Sequence, residues 1–182
     1  MNTYGHLMVD IETLDSSPTS VIVSIGATLF NASRVHPTGF YAVVDIQDCI
    51  DKGLSVSGDT VKWWLKQSDE ARRVFQEKCV SLDTALKGLR NHVFKLTGGT
   101  SVKVWGNSYA FDGVILENAY KAIGQKKFWN TFSGEGCYRT IKSIKGVPKI
   151  QRQGTHHNAL DDAISQADHL IEINKHLGGI IL

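Results

Sequence analysis

The 182-residue chain holds only three cysteines, three prolines and two methionines, and each shortage narrows what it can be. Cys49, Cys79 and Cys137 are odd in number, far apart and in no Cys-x-x-Cys pair. That pattern excludes a disulfide framework or a structural zinc site and suits reduced thiols, so a cytoplasmic location is expected. No run approaches the ~18 apolar residues of a membrane span, and residues 1–9 lack a basic segment followed by an apolar stretch. Neither membrane attachment nor export is expected. An excess of one charge is missing too: 20 Lys and Arg against 18 Asp and Glu leave a formal charge of +2, so any contact with nucleic acid must be local. Internal repeats, heptads and low-complexity tracts are absent.

What is present has globular proportions, 42% apolar and 21% charged, at a length that suits one domain spanning residues 1–182. β-Branched and aromatic runs predict strands over His6–Glu12, Val21–Phe30 and Phe40–Ile46. Their connections, with Pro18 and Pro37, are too short for crossover helices, so the three should form an antiparallel meander. Helical patterns follow over Thr60–Gln67, Asp69–Lys78 and Leu82–Leu96, the last ending at Gly98-Gly99. Val102–Trp105 predicts a fourth strand and Val114–Ile123 a helix. A basic, glycine-containing segment runs from Lys126 to Arg152, and a final helix spans His157–His176 with Thr155 as its N-cap. The order predicts a mixed α/β sheet flanked by helices. Strands one and four should be parallel neighbours by right-handed crossover, their carboxyl ends opening on one crevice.

Asp10 and Glu12 stand two apart on the first strand, so their side chains leave one face while Val9 and Ile11 point to the other. Neighbouring buried carboxylates require cations, and hard oxygen ligands select magnesium or manganese. A strand end facing solvent would produce the same pair. Asp112 follows the fourth strand in Trp105-Gly106-Asn107-Ser108-Tyr109-Ala110-Phe111-Asp112; alone it reads more readily as a carboxylate on a helix dipole than as a ligand, and only its expected place beside Asp10 and Glu12 changes that. His157 and Asp162 are five apart, about 140° around a regular helix, and share no face. A histidine in the first turn could still swing over the crevice.

Together these segments resemble the DEDDh branch of the DnaQ-like 3′–5′ exonucleases, which have an RNase H-like fold. Leu7-Met8-Val9-Asp10-Ile11-Glu12-Thr13 is similar to the first motif, Asn107–Asp112 to the second, and His157-Asn158-Ala159-Leu160-Asp161-Asp162 to the third. Ile22–Phe30, Val61–Gln67 and the His157–Ala163 segment also look like a small subgroup that includes a mycobacterial exoribonuclease and phage-encoded exodeoxyribonucleases. Asp161 competes with Asp162, and His156 with His157; the family spacing favours His157 and Asp162.

The resemblance implies two-metal-ion hydrolysis of single-stranded DNA or RNA from the 3′ end, with Mg²⁺ and with Mn²⁺ as a substitute. It places Asp10, Glu12 and Asp162 on the ion that presents the attacking water, Asp10 and Asp112 on the ion beside the leaving oxygen, and His157 as general base. Substrate-binding candidates are Thr13, Trp63, Trp64, Asn107, Phe111 and Arg139. Of the two tryptophans, about 100° apart on a helix, one can stack on a base while the other packs inside; both can equally be core or dimer contacts. The apolar tail Gly178–Leu182 makes a homodimer a further expectation. Rival readings are an RNase H-like endonuclease, a catalytically inactive nucleic-acid-binding module and a metal-dependent phosphatase.

Overall fold

The computed structural model describes residues 4–182. The expectation about a leader therefore falls partly on residues 1–3, outside the described residues. Among the described residues, strands β1 (His6–Thr13), β2 (Ile22–Phe30), β3 (Phe40–Val43), β4 (Lys103–Gly106) and β5 (Glu135–Cys137) form one sheet in the order β3-β2-β1-β4-β5. The meander β1-β2-β3 is antiparallel, while β4 lies parallel to β1 and β5 parallel to β4. That is the mixed sheet the element order implied. No helix among the described residues is long and apolar enough to cross a membrane.

Strand alternation sorts β1 into two cores. Leu7, Val9 and Ile11 join the larger one, built with α1 (Ile46–Asp51), α2 (Gly58–Trp64), α4 (Leu82–Thr97) and α5 (Asp112–Ala122). Met8 points the other way, into a second core with Tyr138 and the apolar stripe Ala163, Ala167, Leu170 and Ile171 of α7 (Ala159–His176). Asp10 and Glu12 continue the Met8 face beyond that core. The register shifts between Glu12 and Thr13: Glu12 pairs with Ser24 and Thr13 with Ile22, so Val23 is the extra residue of a bulge in β2 beside the acidic end of β1.

Gly26 decides where α7 crosses. It is paired with Asp10 across the β1–β2 ladder, and a Cβ there would lie 2.0–2.2 Å from backbone atoms of Ala159 and Leu160. The missing side chain lets the first turn of α7 rest on the sheet, and Asp162, three residues past Ala159, then hangs over the acidic face. Gly26→Ala should destabilise by about 3 kcal/mol or more, because the obstructing atoms are backbone and cannot change rotamer. Thermal unfolding should show it as a midpoint lowered by roughly 6–12 °C. An unchanged midpoint would mean that α7 is not seated on this glycine.

Several boundaries differ from the sequence expectation for local reasons. The third strand stops at Val43 instead of Ile46, because Asp45 accepts hydrogen bonds from the Gln47 and Asp48 amides and caps α1. The helix expected over Asp69–Lys78 is α3 (Asp69–Arg72) followed by a 3₁₀ turn at Arg73–Gln76. The Lys126–Arg152 segment contains β5 and α6 (Tyr138–Lys142). The last helix starts at Ala159, and its N-cap is Asn158 rather than Thr155: the Asn158 side chain accepts from the Leu160 and Asp161 amides.

Candidate active site

A cleft of about 430 Å³ opens at the carboxyl ends of β1 and β4, and it is lined by Asp10, Glu12, Asp112 and Asp162 together with His157. Three elements converge there. Asp10 and Glu12 come from the carboxyl-terminal half of β1, on its α7-facing side. Asp112 is the first residue of α5, its Oδ2 accepting from the Ser108 amide at 3.0 Å. A Cβ at Gly106 would strike the Asp112 side chain at 2.8 Å, so the bare end of β4 leaves room for that carboxylate. Asp162 lies in the first turn of α7, its Oδ2 accepting from the His157 amide at 2.9 Å.

The electrostatics are those of carboxylates crowded without enough donors. Burial, then the charges of Asp112, Glu12 and Asp162, hold the Asp10 carboxyl well above its ordinary range. Burial, then Asp162 and Asp112, do the same to Glu12. Asp112 is pushed up to about 7 by burial, against the opposing pull of the Ser108 amide. Ligand oxygens of Asp10, Glu12 and Asp162 lie within 4.8 Å of one another. An all-oxygen, multiply negative donor set fits a hard divalent cation, and such a cation would offset the burial and, at Asp10 and Glu12, the mutual repulsion that raise these pKa values. Gln166 supplies a second mark of unmet bonding: its Nε2 donates to Asp10 Oδ1 at 2.7 Å, while its buried Oε1 has no partner among the described residues. The acidic cluster can therefore hold divalent metal.

His157 reaches the cleft by an unusual route. Its backbone is left-handed, φ 65°, so the chain turns sharply before the Asn158 cap and the ring projects over the acidic face. Nδ1 lies 3.8 Å from Glu12 Oε1, and the edge of Trp63 packs against the ring at a centroid distance of 5.0 Å. Because the residue precedes the helix, the 140° separation expected on a regular helix does not apply. His156 also lines the cleft, its ring 3.9 Å from that of His157. Asp161 does not reach the cleft; its Oδ2 accepts from the Thr155 amide at 2.8 Å and so serves the turn.

The substrate-binding candidates divide. Thr13, Trp63, Asn107, Phe111 and Arg139 all line the cleft, with Trp63 still 42% exposed. Asn107 joins two basic residues: its Oδ1 accepts from Lys142 Nζ at 2.9 Å and its carbonyl from the Arg139 amide at 2.8 Å. Phe111 also packs against the larger core. Trp64 is not brought to the cleft. It is buried, its Nε1 donates to the Thr13 carbonyl at 2.9 Å, and its ring packs on Phe75. Arg152, the last of the basic Lys126–Arg152 segment, also lines the cleft and bonds Asp162 Oδ1 at 2.5 Å, and Gln166 is a cleft residue that the sequence patterns do not single out. Gln166 was visible in principle, since it is four residues beyond Asp162 on the same helical face.

Among solved structures, the chain is similar to the nuclease domain of 3′hExo, a DEDDh family member crystallised bound to rAMP. The two share 16% identity at a TM-score of 0.61, over 98% of this chain and 96% of that one. No curated protein sequence matches. The family match and the acidic cleft together define a 3′–5′ exonuclease whose carboxylates can hold divalent metal, on a fold similar to that of the 3′hExo nuclease domain. Within that class, the chain belongs to the Rv2179c-like 3′–5′ exoribonuclease domain family, whose model matches residues 5–174.

Proposed function

We propose that residues 1–182 form one exonuclease domain that removes nucleoside 5′-monophosphates in turn from the 3′ end of a single strand, RNA in preference to DNA. The observation that carries this reading is the convergence of Asp10, Glu12, Asp112 and Asp162 with His157 on one cleft. The exoribonuclease description of the family and the rAMP bound to the similar nuclease domain support RNA.

Asp10, Glu12 and Asp162 would hold one cation, and Asp10 with Asp112 a second. When bound, two magnesium or manganese ions supply positive charge that favours ionisation of the attacking water and offsets charge developing on the phosphate and the leaving 3′ oxygen. The protein's own groups do the rest. His157, packed beneath Trp63 and lowered in pKa chiefly by burial, stays neutral at pH 7 and accepts the water's proton. The exposed Trp63 face stacks on the terminal base, and Arg139 and Lys142 draw the phosphate backbone to the open side. Phe111 limits how far the terminal nucleoside enters. Ile180, 80% exposed in the apolar tail, offers the surface for a homodimer. The three free cysteines suit a reducing cytoplasm.

The deciding experiment uses matched RNA and DNA single strands with Mg²⁺. A 3′-blocked strand should resist digestion, a 5′-blocked strand should be degraded to mononucleotides, and RNA should disappear faster. Scission of a circular single strand would replace this reading with the endonuclease one.

A further inference from the structure

Arg152 stands in an odd place for a residue of an active-site rim. Its Nη1 bonds Asp162 Oδ1 at 2.5 Å, and the other oxygen of that carboxylate is already taken by the His157 amide. Both oxygens of Asp162 are thus engaged by protein donors, although Asp162 is one of three carboxylates whose oxygens lie within 4.8 Å. The guanidinium is itself a cation inserted at the edge of the cluster, and a divalent ion seeking Asp162 Oδ1 meets both an occupied lone pair and a like charge.

The backbone on either side of Arg152 is fastened to α7. The Gln153 amide donates to Ser165 Oγ at 2.9 Å, and Gln153 Nε2 reaches Asp168 at 3.1 Å. On the other side the Pro148 carbonyl bonds His169 Nε2 at 2.8 Å, while Tyr138 Oη holds His169 Nδ1 at 2.6 Å. The Arg152 Cα is therefore fixed relative to Asp162, but its side chain is 48% exposed against 10% for its partner. It can leave by rotating about its own χ angles without disturbing the fold. Arg139 and Asn107 line the same cleft, so a released guanidinium remains at the mouth where a phosphate must enter.

We propose that Arg152 is a metal-gated phosphate clamp: it competes with the divalent cation for Asp162 and, once displaced, binds a non-bridging phosphate oxygen of the substrate. This rests on the nuclease reading of the cleft. The competition makes metal and substrate binding mutually reinforcing, because the nucleotide gives the displaced guanidinium a new anion and the metal frees the guanidinium for the nucleotide. Cation and 3′ end would then load together.

The test compares wild type with Arg152→Gln and Arg152→Lys in two titrations, Mg²⁺ alone and adenosine 5′-monophosphate at saturating Mg²⁺, both by calorimetry. Arg152→Gln should bind Mg²⁺ about tenfold more tightly and the mononucleotide about tenfold more weakly, opposite movements from one substitution. Arg152→Lys should recover part of both. Melting supplies an independent reading: Arg152→Gln should melt below wild type in chelator, where the carboxylates lose their internal cation, and level with it in saturating Mg²⁺. Weaker or unchanged Mg²⁺ binding in Arg152→Gln, or unchanged mononucleotide affinity, overturns the clamp. Failure of wild type itself to bind Mg²⁺ overturns the nuclease reading instead.

Discussion

Asp10→Asn is expected to abolish Mg²⁺-dependent release of mononucleotides while making the protein more stable in chelator. The two effects share one cause. Asp10 is the carboxylate on which the crowding converges: burial and then the charges of Asp112, Glu12 and Asp162 hold its pKa well above the ordinary value. A carboxylate whose folded pKa is raised favours the folded state only while protonated, so its contribution is present below the unfolded pKa and is lost as pH rises through the folded one. At neutral pH and above, around and beyond the titration of Asp112 at about 7, a carboxyl at Asp10 therefore works against folding. Asparagine keeps the oxygen that accepts from Gln166 and removes the charge. The variant should therefore melt above wild type in chelator at pH 8, with the gap closing as the pH falls toward 4. Catalysis moves the other way: loss of a charge-stabilising ligand worth several kcal/mol corresponds to ~10³-fold or more. Retained activity, or a lower melting midpoint in chelator at pH 8, would sink the cation assignment.

Asp10 and Glu12 were the most legible part of the site because strand alternation is a two-residue rule that tertiary context rarely alters. The apolar run Leu7-Met8-Val9 fixes which face is which, and the ladder to β2 pairs Asp10 with Gly26 and Glu12 with Ser24. Asp112 was legible at one remove: it needed β4 to lie beside β1, which the right-handed crossover rule supplied. β5 was hidden because it is only three residues long and centred on Gly136, a residue that normally argues against a strand. Here a side chain would meet the ring of Trp105 at 2.4 Å, so the glycine belongs to the packing between neighbouring strands. The cap of α7 failed for a different reason. Thr155 and Asn158 are both acceptable N-caps, and the choice rests on the left-handed turn at His157, which no local propensity announces. Trp64 shows the same limit, since helical geometry separates two adjacent tryptophans by angle but does not say which one meets the Thr13 carbonyl.

That left-handed turn dictates how the histidine should be tested. His157 combines an imidazole aimed at Glu12 with a backbone amide that donates to Asp162 and a φ of 65°. Alanine would remove the ring and also strain the backbone, since the left-handed region costs an ordinary L-residue about 1–2 kcal/mol. Asparagine tolerates that region, so His157→Asn isolates the ring. This variant should fold, bind Mg²⁺ and lose ~10²–10⁴-fold in kcat, with KM little changed, as befits removal of a general base. Its pH profile should change as well. Burial is the largest influence on the ring and Arg152 adds to it, against the opposing effect of Asp162, so the pKa is lowered from the ordinary 6.5. A base must be deprotonated, so at saturating Mg²⁺ the kcat/KM of wild type should rise with pH through a midpoint below 6.5 and level off by pH 7. His157→Asn should lack that acidic limb, and added imidazole should restore part of the rate. His156 provides the control. Its exposed ring lies against His157 without an ion pair to Glu12, so His156→Ala should cost no more than a factor of about two. If His156→Ala removed the acidic limb and His157→Asn kept it, the two histidines would exchange roles while the carboxylate cluster stood unchanged.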